Sequence, residues 1–160
     1  MQRKIFLALV SVVTLGLSHN VVVAYQATST TGTTTTATTT TAGGAKTIYD
    51  GVFTADQAKR AEGLYTEKCA NCHGAQLTGN DAPPLTGADF AGNWNGLTLD
   101  MLMDRIKLSM PADSPGSLSR QQVSDIIALM LAHAGAPAGA AELPTGADAL
   151  KAITYAGTKP

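Results

Sequence analysis

Apolar residues fall into one continuous run near the start of this chain and three helical stripes beyond residue 50. The run covers Ile5 to Leu17, follows Arg3 and Lys4, and breaks at Ser18-His19-Asn20. It is shorter than the ~20 residues a membrane-spanning helix needs. Val22-Val23-Ala24 then places small residues where a signal peptidase reads. The pattern predicts a secretory signal peptide over residues 1–24. Left uncleaved, the same segment would act as a membrane tether.

Residues 25–45 form a linker in which Thr28 to Ala42 is almost wholly threonine. Such a tract has nothing to bury, so a disordered spacer is predicted there. Residues 46–160 are predicted to be one small domain, with a C-terminal extension from about residue 135.

Three amphipathic helices are predicted within that domain. The first begins at Thr54, where Thr54-x-x-Gln57 has the form of a capping box, and carries Ala58, Ala61, Leu64 and Tyr65 at helical spacing up to Cys69. Gly63 within it costs ~1 kcal/mol against alanine. Close approach of another helix would compensate, so the first and third helices are expected to cross near Gly63. The second starts near Thr98 and aligns Leu99, Leu102, Met103 and Ile106. The third starts at Ser119, with Gln122 completing another box, and carries Val123, Ile126, Ile127, Met130 and Leu131 before fading around His133 to Gly135. Gly74 to Gly96 reads as a loop rich in Gly, Pro and Asn. No alternation of strand type occurs. An all-α domain is expected, with irregular loops wrapped round a central object.

Charge narrows the function. Without Arg3 and Lys4, nine of the eleven basic side chains remain against twelve acidic ones. That balance argues against nucleic acid as a partner. Aromatic content is low, at 5%, so a domain of this length has a thin core of its own. A buried apolar cofactor would supply the missing bulk.

The chemistry sits in Cys69-Ala70-Asn71-Cys72-His73, which holds both cysteines of the chain. Two thiols three positions apart, followed at once by an imidazole, have the spacing that attaches a c-type haem. The thiols add to the two haem vinyl groups, and the histidine is delivered to one face of the iron. A thioredoxin-like pair would want a βαβ context and leaves His73 unexplained. A zinc site would need a second ligand pair. A disulfide across so short a loop would staple little.

A second axial ligand is sought among Met101, Met103, Met110 and Met130. Met103 and Met130 sit on apolar helix faces and read as core. Met101 is half exposed by pattern. Met110 lies in a loop and precedes Pro111, which restricts its backbone and suits the holding of a weak thioether ligand. His133 is the rival and would give bis-His iron. An open sixth position would make a gas sensor or a small peroxidase.

The run Cys69-Ala70-Asn71-Cys72-His73-Gly74, then Pro83-Pro84-Leu85, Met110-Pro111 and Pro115-Gly116-Ser117-Leu118-Ser119, resembles class I cytochrome c. More narrowly, it is similar to the cytochrome c domains associated with PQQ-dependent alcohol dehydrogenases. The tail Ala136-Pro137-Ala138-Gly139-Ala140-Ala141-Glu142-Leu143-Pro144 resembles the segment after the last helix there. The resemblance implies a cytochrome c fold of three or more helices around one haem c held by Cys69 and Cys72, with His73 and Met110 on the iron. It implies that the carbonyl of Pro83 or Pro84 accepts the histidine Nδ1 proton. Leu85 would pack on the porphyrin, Trp94 would lie at its rim, and Arg105 would pair with a propionate. Gly63 with Tyr65 matches the family's helix crossing. Where these domains commonly carry asparagine, this chain carries His133. The function implied is a periplasmic monomer that is no enzyme. It would pass single electrons between a dehydrogenase, including quinoproteins, and an oxidase or another cytochrome. A fixed electron-transfer subunit of a dehydrogenase is the other form of that reading.

Overall fold

The structure, a computed structural model, describes residues 45–159. The segments read as signal peptide and threonine-rich linker therefore lie outside the described residues, apart from Ala45. Order along the chain is β1 (Lys46–Thr47), α1 (Ala55–Lys68), α2 (Ala70–His73), α3 (Gly87–Trp94), α4 (Leu99–Ser109), α5 (Arg120–His133), α6 (Ala147–Lys151) and β2 (Ile153–Thr154). The fold is all-α in character, as the apolar stripes predict.

Both helix starts read from capping residues are present, with different chemistry. At α5 the box is complete: Gln122 N donates to Ser119 Oγ at 3.2 Å and Ser119 N donates to Gln122 Oε1 at 2.8 Å. At α1 only half forms. Gln57 N donates to Thr54 Oγ1 at 3.1 Å, but the Gln57 side chain turns inward and is fully buried. Its Nε2 donates to Ser124 Oγ, Asp125 Oδ1 and Leu143 O, each at 3.2 Å, and its Oε1 accepts from Leu143 N at 2.7 Å. A buried amide with every polar atom matched costs little, whereas one left unmatched costs about 1–3 kcal/mol.

The main packing is α1 against α5. Ala58, Ala61 and Tyr65 form the buried face of α1. The expected crossing at Gly63 is not observed. Gly63 is exposed, and a Cβ built there meets nothing within 4 Å. Small size is used two positions earlier, at Ala61, which is 1% exposed. Helix α5 is buried continuously from Val123 to Leu131, because α1, α4 and the C-terminal extension all lie against it. That is why its apolar face is broad rather than a stripe.

Two stretches depart from the predicted pattern. The stretch from Gly74 to Gly96 contains α3, whose one buried residue is Phe90. A short helix with a single core residue and two glycines leaves no periodic signal. The extension contains α6 and β2, and β2 pairs in parallel with β1, Lys46 opposite Ile153 and Thr47 opposite Thr154. Strands of two residues are too short to alternate. The extension is tied down along its length: Gly139 N donates to Phe53 O at 2.7 Å and Tyr155 N to Leu97 O at 2.8 Å. Arg60 Nη2 and Nε reach both oxygens of Asp125 at 2.8 and 2.9 Å, while its Nη1 bridges to Glu142 at 2.9 Å. The extension is thereby clamped to the α1–α5 pair.

Candidate functional site

Helix α1 ends at Lys68, and Cys69 breaks the helical path with φ −127° and ψ −38° before the single turn of α2. His73 N donates to Cys69 O at 2.9 Å and Gly74 N to Ala70 O at 2.9 Å. The turn brings Cys69 and Cys72, three residues apart, to one side. Both thiols are free; Cys72 is exposed and Cys69 half-buried. Burial pushes the Cys69 thiol up to about 11. Activated redox cysteines are instead held as thiolates by a nearby cation or helix N-terminus, so this pair is unlike a thioredoxin-type site.

The histidine is fixed by a carbonyl. His73 Nδ1 lies 2.8 Å from Pro83 O. A carbonyl can only accept, so Nδ1 carries the proton and the Nε2 lone pair of the neutral ring is left for a metal. Of the two prolines weighed from sequence, Pro83 supplies the contact and Pro84 follows it, half-buried.

A tightly folded loop aims that carbonyl. Gly79 N donates to His73 O at 2.9 Å, Ala82 N to Cys72 O at 2.9 Å, and Leu85 N to Leu77 O at 2.8 Å. Gly74 and Gly79 have φ of +78° and +85°. Their backbones nearly touch: a Cβ on Gly74 would lie 2.8 Å from Gly79 O, and one on Gly79 would lie 3.0 Å from Pro84 N. Only glycine fits either place. Leu77 adopts φ +60°, an uncommon state for a side chain of its size, with that side chain buried. Tyr65 reaches over from α1 and donates to Gly74 O at 2.7 Å. Burial pushes its phenol up to about 12, so it stays a donor at neutral pH. Sequence marked Tyr65 as an apolar-face residue and, with Gly63, as part of the family's helix crossing; its position four residues before Cys69 was the available sign that its hydroxyl would meet this loop.

The methionines separate by environment. Met103 and Met130 are core residues at 0% and 2% exposure, while Met101 is 50% exposed on α4. Met110 is half-buried and caps the C-terminus of α4 in extended conformation, φ −125° and ψ 153°, as a residue before proline prefers. Its backbone N–H still donates to Ile106 O at 2.9 Å. The loop it opens lies within electrostatic reach of the end of α1. Lys68, one residue from Cys69, is held cationic first by Glu67 and also by Asp113.

His133 is elsewhere. It is exposed and lines a groove of about 440 Å³ with Phe53, Ala55, Ala58, Lys59 and Glu62. Those are residues of the first two turns of α1 and the segment before it. At 1.5 Å per helical residue, Ala58 and Cys69 stand roughly 16 Å apart along the axis. The groove places His133 beside the far end of α1 from the thiols.

The remaining candidates surround the site less closely. Leu85 is half-buried and packs on the core. Trp94 is half-buried and stacks on Phe90 with centroids 5.8 Å apart; Phe90 meets Tyr155 edge-on at 5.6 Å. A cleft of about 550 Å³ runs along Pro83, Pro84 and the exposed side of α3, including Asp89 and Asn93. Arg105 is exposed on α4, and its guanidinium has no hydrogen bond or ion pair among the described residues.

A covalently held haem fits this donor set. Two free thiols lie one turn apart, an imidazole is held by Nδ1 with Nε2 turned away from the holding carbonyl, and apolar side chains (Leu85, Trp94, Ile106, Met110) are left half-buried. Among the described residues no group of three or more His, Cys, Asp and Glu could hold a metal ion unaided.

Residues 56–130 match the family model described as cytochrome c oxidase, cbb3-type, subunit III. The matched stretch runs from the first turn of α1 to the last turns of α5 and includes Cys69 to His73 and Met110-Pro111. No curated protein and no solved structure matches the chain.

Proposed function

Because residues 56–130 form a class I c-type cytochrome domain, we propose that this chain is a periplasmic electron shuttle. It takes single electrons from a dehydrogenase, quinoproteins included, and delivers them to an oxidase or another cytochrome. Domains of this family carry one haem c, here joined through Cys69 and Cys72, and are electron carriers rather than enzymes. They are typically exported from the cytoplasm. Among the described residues no helix is long and apolar enough to cross a membrane.

Bound here, haem supplies a one-electron Fe(III)/Fe(II) couple whose potential a methionine ligand raises. His73 would offer Nε2 to the iron. Pro83 O holds the ring by its Nδ1–H, which would raise its donor strength. Met110 would offer sulfur. Leu85 would pack on the porphyrin, Trp94 would lie at its rim, and Arg105 would pair with a propionate. A half-buried site leaves one edge near solvent, where partners dock briefly over a small area, the working form being a monomer.

The observation that carries this reading is the 2.8 Å contact between His73 Nδ1 and Pro83 O. It orients the ring for iron and has no other evident use. The core burial of Met103 and Met130, with Met101 half exposed, supports Met110 as the sulfur ligand. The optical spectrum of the oxidised protein tests it. A weak far-red band marks an iron–thioether bond. Met110→Ala is expected to abolish that band while the covalent haem remains; a band that survives the substitution overturns the ligand assignment.

A further inference from the structure

Met110 opens an excursion that returns to regular structure at Arg120. Pro111 and Leu118, near its two ends, are buried, and Ala112 to Ser117 are exposed. Two turns shape the exposed part: Ser114 N donates to Pro111 O at 3.0 Å and Ser117 N to Ser114 O at 3.2 Å. Neither turn fastens the excursion to a helix. Lys107 does. Its Nζ donates to Gly116 O at 2.5 Å.

The backbone is shaped for that contact. Gly116 has φ +79°, and a Cβ on it would lie 3.9 Å from the Lys107 carbonyl. The returning chain therefore runs along the last turn of α4. Lys107 stands three residues before Met110, so its bond joins the outgoing and returning strands at the neck of the excursion. Among the described residues its ammonium has no carboxylate partner within ion-pair distance; nearby Asp104 instead faces Arg120 at 3.5 Å. Gly116 O is the sole hydrogen-bond acceptor of Lys107 Nζ among the described residues.

We propose that Lys107 is a positioning residue that latches the Met110 loop closed. On the reading above, in which Met110 is the sulfur ligand, the latch sets how readily that sulfur leaves iron. A thioether is a weak ligand, so its residence depends on the loop that presents it. A charge-assisted hydrogen bond at the neck opposes a local opening that need not involve the helices.

Imidazole titration of the oxidised holoprotein reads that opening, because imidazole occupies iron only when sulfur has left. Lys107→Met keeps the length of the side chain without its charge, and Lys107→Arg keeps a cationic donor. Lys107→Met is expected to bind imidazole about fivefold more tightly than the unmodified protein, the scale of one typical net intramolecular hydrogen bond. Lys107→Arg is expected within about twofold of it. Both should keep the far-red band without imidazole, and their urea midpoints should match the parent. Unchanged imidazole affinity in Lys107→Met, with the band present in the parent, overturns the latch and leaves the ligand assignment standing. So does tighter binding that merely tracks a loss of global stability. Absence of the band from the parent overturns the ligand assignment and the latch with it.

Discussion

A single hydrogen bond decides what His73 can offer. With Nδ1 turned to Pro83 O, Nε2 is the ring nitrogen left to face a metal. Two other residues show how local chemistry decides the cost of a change. Gly63 is exposed within a helix and guards no close approach. Gly63→Ala is therefore expected to raise stability by about 1 kcal/mol, seen as a higher melting temperature of the holoprotein. A fall would show that the bound cofactor or a partner uses the space. Asp125 is the opposite case. Burial raises its carboxyl, but hydrogen bonds from Arg60, Gln121 and Gln57 outweigh this and hold it below the usual range. A depressed carboxylate stabilises the fold above its unfolded value and loses that contribution as pH falls through its folded value. Acid should erode stability from about pH 4 downward, and Asp125→Asn should flatten that part of a urea-unfolding series against pH. An unchanged slope would assign the acid sensitivity to other carboxylates.

At the scale of elements, what could be read from sequence was what buries a regular face. Helices α1, α4 and α5 carry three or more apolar residues at helical spacing and were legible with their starting residues. Helix α3 was not, since only Phe90 is buried. Helix α6 and the β1–β2 pair are held by the extension rather than by their own pattern. The Thr54 capping box was half right for an instructive reason: Gln57 has two suitors, and the buried network around Ser124, Asp125 and Leu143 offers more bonds than the cap. The docking of the extension also rests on a position no periodicity reveals. A Cβ on Gly139 would overlap the carbonyl oxygen of Gly51, with backbone on both sides and no side chain free to yield. Gly139→Ala is expected to cost about 3 kcal/mol, measured by chemical denaturation. A loss well under 1 kcal/mol would mean that the extension shifts at little cost.

For the whole molecule, the haem-attachment residues were legible because their covalent chemistry demands fixed residue types at fixed spacing. Most of their support was not, because it is built from backbone: the carbonyls of Gly74 and Gly116 carry no sequence signature, and that of Pro83 was reached, with Pro84 beside it, only through the family resemblance. The glycines at 74 and 79 were the nearest sign of it. A domain with few large side chains folds here by two means. The α1–α5 pair is closed over small residues, and the C-terminal extension wraps back to meet β1 and the loop before α4. The haem contributes the remaining apolar surface, so stability and electron transfer depend on one attachment. Its direct test is the intact mass of the purified, denatured protein. The account predicts the polypeptide plus one haem, with the addition lost when Cys69 and Cys72 are both replaced by alanine. A mass equal to the bare polypeptide, from cells competent to mature c-type haem proteins, would contradict it.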